Sequence, residues 1–144
     1  MWQLEDLRKG SIIAMATSST IAVKMNKGYK TIYCHNDGYP EYMYPMLRDW
    51  YGTQERAEAL VSFGDASFIA KRLVPSQDSN HHFDHPEEDV CIFYHRDRGE
   101  LWRQNAPVQM TKEEAISNHY YVYIFEDDKW TAYAGRKEIN SYEY

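Results

Sequence analysis

Very little in this sequence identifies a reaction. It has no GxSxG, no HExxH, no Walker loop and no GxGxxG, which excludes the nucleophile elbow, the zincin helix and the glycine loops that cradle phosphates. The paired HxT or HxS motifs of two-histidine phosphodiesterases are also missing. Cysteine is scarce: Cys34 and Cys91 are the only two, and they form no CxxC pair. A disulfide framework or a cysteine-rich zinc site is therefore not expected, and buried free thiols in a reducing compartment are. Basic residues are outnumbered, 16 against 22 acids, for a net charge of −6. A general nucleic-acid binder needs a basic face to displace counterions, so that class is excluded, although a local basic pocket for a small phosphate ligand is not. No apolar run is long enough to span a bilayer, and the first ten residues carry acids and lack a hydrophobic h-region. The expectation is a cytoplasmic protein without a membrane partner. Internal repeats and low-complexity segments are absent as well.

What is present is 144 residues, the common size of one domain, with 13 tyrosines among an aromatic fraction of 15%. Tyrosine joins a large apolar face to one polar end, which suits both half-buried ligand pockets and ordinary sheet packing. We treat residues 1–144 as a single domain, with 1–14 as a possible extension and 75–89 as a long polar loop.

The apolar pattern predicts a short helix or arm over Met1–Lys9 and a strand over Ser19–Met25. A turn at Asn26-Lys27-Gly28 and a return strand over Tyr29–His35 would complete a hairpin. Met43, Met46, Leu47 and Trp50 recur at helical spacing, predicting a helix from about Tyr42 to Tyr51 that Gly52 ends. Thr53 is a good N-cap for a second helix carrying Ala57, Leu60 and Val61 and stopping near Gly64. Asp65 is read as the cap of a third, short helix through Phe68, Ile69 and Leu73. Val90–His95 returns to strand character, with Arg96-Asp97-Arg98-Gly99-Glu100 as a charged turn. Thr111-Lys112-Glu113-Glu114 is a capping box opening a helix to about Asn118. Tyr120–Phe125 and Lys129–Ala134 form a second hairpin. These elements predict an α+β fold: an antiparallel sheet of about five strands, built from two hairpins and a central strand, with three to four short helices packed on it.

Two segments carry the residue types of a binding site. In the first, His35, Asp37 and Tyr39 lie where a strand gives way to a helix, with Tyr33 just before them, so donors and acceptors can gather at the rim of the sheet. The same residues also read as an elaborate turn. In the second, His95, Arg96 and Arg98 follow a strand, and on extended backbone the two arginines face one way and can converge on one anion. They also read as a solvated turn paired to Asp97 and Glu100. His35 with Asp37, or His95 with Asp97, has the composition of an acid–base pair. His81, His82, Asp84 and His85 cluster in the long loop without a third ligand at fixed spacing, so no metal is assigned, and no cofactor is expected.

Ala16-Thr17-Ser18-Ser19-Thr20-Ile21, then Ile32-Tyr33-Cys34-His35 with Asp37-Gly38-Tyr39-Pro40, resembles a largely uncharacterised family of small phage and prophage proteins. The resemblance continues through Trp50-Tyr51, Ala59-Leu60 and Gly64-Asp65-Ala66-Ser67 into Tyr94-His95-Arg96-Asp97-Arg98-Gly99-Glu100. It returns in the closing hairpin at Lys129-Trp130. It runs from Met15 to about Tyr133, and Asn36 stands where those proteins carry Trp. The likeness implies a phage origin, and short phage accessory proteins of this size often counter host immunity. One such strategy is the sponge, which captures a cyclic nucleotide signal, as the Thoeris anti-defence proteins do.

The expected function is therefore a homo-oligomeric binding protein that sequesters a nucleotide-derived immune signal without turnover, such as a cyclic nucleotide or a cyclic ADP-ribose. Tyr33, His35 and Tyr39 would contact a base or ribose, and Arg96 and Arg98 would hold phosphate. The alternatives are an inhibitor that binds a host defence protein and a small hydrolase using His35 and Asp37.

Overall fold

The structure is a computed structural model and describes residues 16–139 and 144. The helix or arm expected over Met1–Lys9 lies outside the described residues. Among those described, the fold is α+β, with five helices and eight strands in one mixed sheet.

The two expected hairpins form its centre. Strands β1 (Ser19–Lys24) and β2 (Tyr29–Cys34) pair antiparallel, with Ile21 opposite Ile32 and Lys24 opposite Tyr29. The Met25 N–H donates to the Gly28 carbonyl at 2.9 Å to close the turn. Gly28 has φ +69°, and a Cβ there would stand 2.9 Å from the Met110 carbonyl oxygen, so both conformation and packing call for glycine. Strands β6 (Tyr121–Glu126) and β7 (Lys129–Ala134) form the other hairpin, whose two-residue turn puts Asp127 and Asp128 at φ +57° and +63°. Left-handed dihedrals at both turn residues match the twist of the flanking strands.

The hairpins join through a parallel pairing of β1 with β6, Ser19 opposite Tyr121 and Val23 opposite Phe125. The sheet is therefore larger than five strands and not purely antiparallel. Four short strands complete it: β3 (Ala66–Phe68), β4 (Ile92–Phe93), β5 (Val108–Met110) and β8 (Lys137–Glu138). The order is β4-β3-β2-β1-β6-β7-β8, with β5 sharing the free side of β2.

Helices α1 (Pro40–Trp50) and α2 (Gln54–Ser62) cover one face. Pro40 opens α1, where a missing N–H costs nothing, and Met43 and Leu47 face inward. As expected, Thr53 caps α2, accepting from the Arg56 N–H at 3.1 Å. Ile21, Val23, Ile32, Tyr123, Phe125 and Trp130 meet these helices in the main core. On the opposite face Ala22, Tyr29, Val122 and Ile124 pack with Ala115 of α5 (Lys112–Ile116). Thr111 and Glu114 close the expected capping box on α5. Because β1 is covered on both faces, its residues from Ser19 to Val23 are all buried.

Many tyrosines serve this packing. Tyr42, Tyr51 and Tyr123 donate to the backbone carbonyls of Ile69, Ala70 and Gly38 at 2.7, 2.5 and 2.7 Å. The rings of Tyr51 and Tyr123 fill the core and that of Tyr42 is half-buried beside it, while each hydroxyl satisfies a carbonyl outside regular pairing.

Two expectations fail locally. Asp65 does not cap a helix. The segment after it is β3, which pairs parallel with β2 at Cys34↔Ala66, and the His35 N–H continues that pairing to the Ala66 carbonyl at 3.0 Å. Nor does Val90–His95 run on as a strand into a charged turn. After the two residues of β4 the chain winds into α3 (Tyr94–Arg98), ended by Gly99 in the left-handed conformation. Residues two apart on a helix face different ways, so Arg96 and Arg98 diverge instead of converging. The short α4 (Trp102–Asn105) follows.

Candidate functional site

The parallel step from β2 to β3 leaves a cleft at one end of the sheet. Tyr33 and His35 stand on its β2 side, and Asp65, Ser67, Tyr94 and Arg98 face them across an open space of about 560 Å³. Phe83, from the long 75–89 loop, closes the outer wall, held by a hydrogen bond from its N–H to the Asp97 carbonyl at 3.0 Å. Its ring lies 5.8 Å from that of Tyr94, and the Arg98 guanidinium sits over both, 4.4 Å and 5.0 Å from the ring centres. An arginine over two aromatic faces forms a flat cationic wall.

Asp65 is held in place by packing beneath it. Gly64 has φ +83°, and a Cβ there would lie 2.3 Å from the Asn105 carbonyl oxygen, which accepts the Asp65 N–H at 2.8 Å. Only glycine allows α4 to approach that closely. One Asp65 carboxylate oxygen accepts from the Tyr33 N–H at 2.9 Å, and the other has no hydrogen-bond partner among the described residues. Burial pushes the Asp65 carboxyl up, and the Tyr33 N–H only partly offsets it. A half-buried carboxyl with one free acceptor in a cleft is the kind of group that ligands engage.

The remaining polar groups are ordered. The Asn36 amide donates to the Ser67 carbonyl and hydroxyl at 3.0 and 3.1 Å. The Tyr33 hydroxyl lies 2.5 Å from His35 Nδ1. Burial raises the Tyr33 and Tyr94 hydroxyls above their ordinary range, so both stay protonated donors at neutral pH. Arg98 Nε donates to Glu100 at 2.6 Å.

Of the residues singled out in the sequence, Tyr33, His35 and Arg98 thus come together. The other four lie elsewhere. Asp37 occupies a left-handed turn position at φ +56°, and Tyr39 packs beside Tyr42, 6.4 Å between ring centres. His95 turns to the other side of α3, its Nδ1 2.7 Å from the Glu100 carbonyl oxygen and its ring edge-on to Trp102. Arg96 points inward between Phe63 and Phe93, donating to the carbonyls of Leu73 and Cys91 at 2.5 and 2.8 Å and pairing with Asp97. Burial would raise Asp97, but Arg96 and the Phe93 N–H hold it below the ordinary carboxylate range.

The loop histidines have structural partners too. His81 is almost fully buried, its Nδ1 accepting from the Glu87 N–H at 2.9 Å, which leaves its proton on Nε2, 3.3 Å from Asp97. His82 and His85 meet edge to face at 5.0 Å, and His82 Nδ1 accepts from the Asp84 N–H. Among the described residues no group of three or more histidine, cysteine or acidic side chains is placed to hold a metal. No described helix is long and apolar enough to cross a membrane.

Sequence reasoning passed over Asp65, Ser67, Phe83 and Tyr94 as cleft residues. Asp65 and Ser67 stand in the Gly64-Asp65-Ala66-Ser67 motif, the one signal pointing to them, whereas Phe83 lies in a loop without periodicity. A separate depression of about 450 Å³ between Lys24, Gln54, Glu58 and Asp127 has no aromatic wall, and Gln54 there is already bonded to Glu58 and the Lys24 carbonyl. The chain matches no protein-family model, no curated protein and no solved structure.

Proposed function

We propose that this chain is a phage-encoded anti-defence protein, homo-oligomeric in the cytoplasm of the host, that sequesters a nucleotide-derived signal in the cleft without turning it over. The observation that carries this reading is the Arg98 guanidinium laid over Phe83 and Tyr94, opposite the free acceptor of Asp65. Aromatic and guanidinium planes take a base by stacking, and a carboxylate edge takes its amino or ribose donors. Binding is favoured over hydrolysis because His35 and Asp37 do not meet in the cleft, and His35 Nδ1 is already engaged by Tyr33.

The test is a melting-temperature screen of the purified protein against cyclic and linear nucleotides, with mass spectrometry of the ligand released on denaturation. A ligand at a hundredfold excess over its dissociation constant stabilises the folded state by about 2.7 kcal/mol, a readily visible shift. Recovery of the ligand unchanged supports sequestration, and recovery of a product means an enzyme. No shift across the panel would sink the reading. Inhibition of a host defence protein is the second reading. It draws support from the exposed apolar side chains of Leu101, Trp102 and Val108.

A further inference from the structure

A second depression, of about 520 Å³, opens beside the cleft between Ser117, His119, Tyr120, Gly135 and Arg136. The two adjoin through one pair of rings: Tyr33 lines the first, His119 lines the second, and their centres are 5.3 Å apart. The sheet register explains why. Cys34 lies opposite Ser19, Ser19 opposite Tyr121, and Tyr121 opposite Ala134, so His35, Tyr120 and Gly135 all emerge from the same end of four neighbouring strands. From β2 to β7 is three strand spacings, roughly 14 Å.

The two halves of this groove differ in charge. In the first, Arg98 is already paired with Glu100, and Asp65 adds an unmatched carboxylate that repels phosphate. The second has no carboxylate in its lining and offers one cation, the Arg136 guanidinium, beside the His119 imidazole, which burial holds below its ordinary value so that it serves as a neutral hydrogen-bonding group. His119 is fixed by Thr20, whose hydroxyl lies 2.7 Å from its Nδ1, which leaves Nε2 for a ligand. Arg136 forms no ion pair or hydrogen bond through its side chain among the described residues, and it sits at φ +72° in the turn between β7 and β8. Glycine or asparagine would occupy that conformation with less strain, so the local backbone does not account for an arginine there.

We infer that this second depression is a phosphate subsite, so that a nucleotide lies across the Tyr33–His119 pair with its base in the Phe83–Tyr94 cleft and its phosphates at His119 and Arg136. The assignment rests on the nucleotide reading of the first cleft and reverses the direction expected from sequence, in which Arg96 and Arg98 hold the phosphate. A free nucleoside fills only the first half, whereas each added phosphate reaches further along the groove.

The experiment is calorimetric titration of the full chain with two matched series: adenosine, AMP and ADP, and guanosine, GMP and GDP. Affinity is expected to climb along a series by roughly tenfold or more from nucleoside to diphosphate, the scale of a charge-assisted contact. Arg136→Gly, which suits the left-handed turn and should melt no lower than the parent, is expected to flatten the climb while leaving nucleoside affinity unchanged. Arg136→Lys is expected to keep part of it. A climb that persists in Arg136→Gly, or a nucleoside that binds as tightly as its diphosphate, overturns the subsite and leaves the nucleotide reading standing. If no member of either series binds, the subsite falls, and the nucleotide reading stands or falls on the cyclic nucleotides of the melting screen.

Discussion

Glu126 and Asp65 are acids at opposite ends of one sheet, and the sheet treats them in opposite ways. Glu126, at the end of β6, accepts from Lys112 Nζ at 2.9 Å and the Tyr29 hydroxyl at 2.8 Å, with Lys24 Nζ at 3.3 Å. The Lys112 bond does most to hold its carboxyl down to about 2, while burial and the same carboxylate push the Tyr29 hydroxyl up to about 12. Asp65 receives one backbone N–H, and burial raises it. Charges that cancel stabilise the fold and leave nothing for a ligand. An acid left short of partners makes the fold less stable and leaves an acceptor available to a ligand. The difference separates a structural end of the sheet from the end that holds the candidate site.

The sharpest way to break that contrast is to remove what holds Asp65 in place. Gly64→Ala puts a Cβ against the Asn105 carbonyl in a left-handed conformation and is expected to cost about 3 kcal/mol, read as a lower urea midpoint. A variant as stable as the parent would mean that α4 does not press on this turn.

At the other end, Glu126→Gln is expected to cost about 1 kcal/mol at pH 7, since the pairs it breaks are partly solvated. Its pH dependence is more telling. A carboxyl whose folded value lies below its ordinary 4.5 stabilises the fold above that pH. The stability is lost as pH falls through the folded value of about 2. The gap between parent and variant should therefore narrow from pH 5 downward, and a constant gap would refute the assignment.

The smallest effect has the opposite sign. Asp65→Asn keeps an acceptor for the Tyr33 N–H and removes a carboxylate that burial disfavours, so it is expected to stabilise the protein at pH 7 by roughly 0.5 kcal/mol. Because the folded value of Asp65 is raised, its penalty is present at neutral pH and disappears as pH falls below the ordinary 3.8. The variant's advantage should vanish there too, and a destabilised variant at pH 7 would contradict the account.

How much of this could be read in the chain depended on distance along it. Both hairpins, the Thr53 cap and the Thr111–Glu114 box are set by residues a few positions apart, and they appear where their turn and cap chemistry puts them. The parallel β1–β6 pairing was not legible, because no local signal joins residues about a hundred positions apart. Phe68, Ile69 and Leu73 suggested a helix, yet the open edge of β2 claimed Ala66–Phe68 as a strand. The site divided in the same way. Tyr33 and His35 follow from their place where a strand gives way to a helix, whereas Arg96 and Arg98, expected to converge by strand alternation, separated once five residues wound into α3.

The β1–β6 pairing also sets an order of assembly. Thr20 and His119 touch across 99 positions, so closing that loop costs more chain entropy than closing either hairpin. The cleft-lining residues all fall between Tyr33 and Asn105, while His119 and Arg136 belong to sequence made later. On the ribosome, the end of the groove proposed to take a base is therefore complete in sequence before the end proposed for phosphate. A chain stopped short of β6 would carry half a grip.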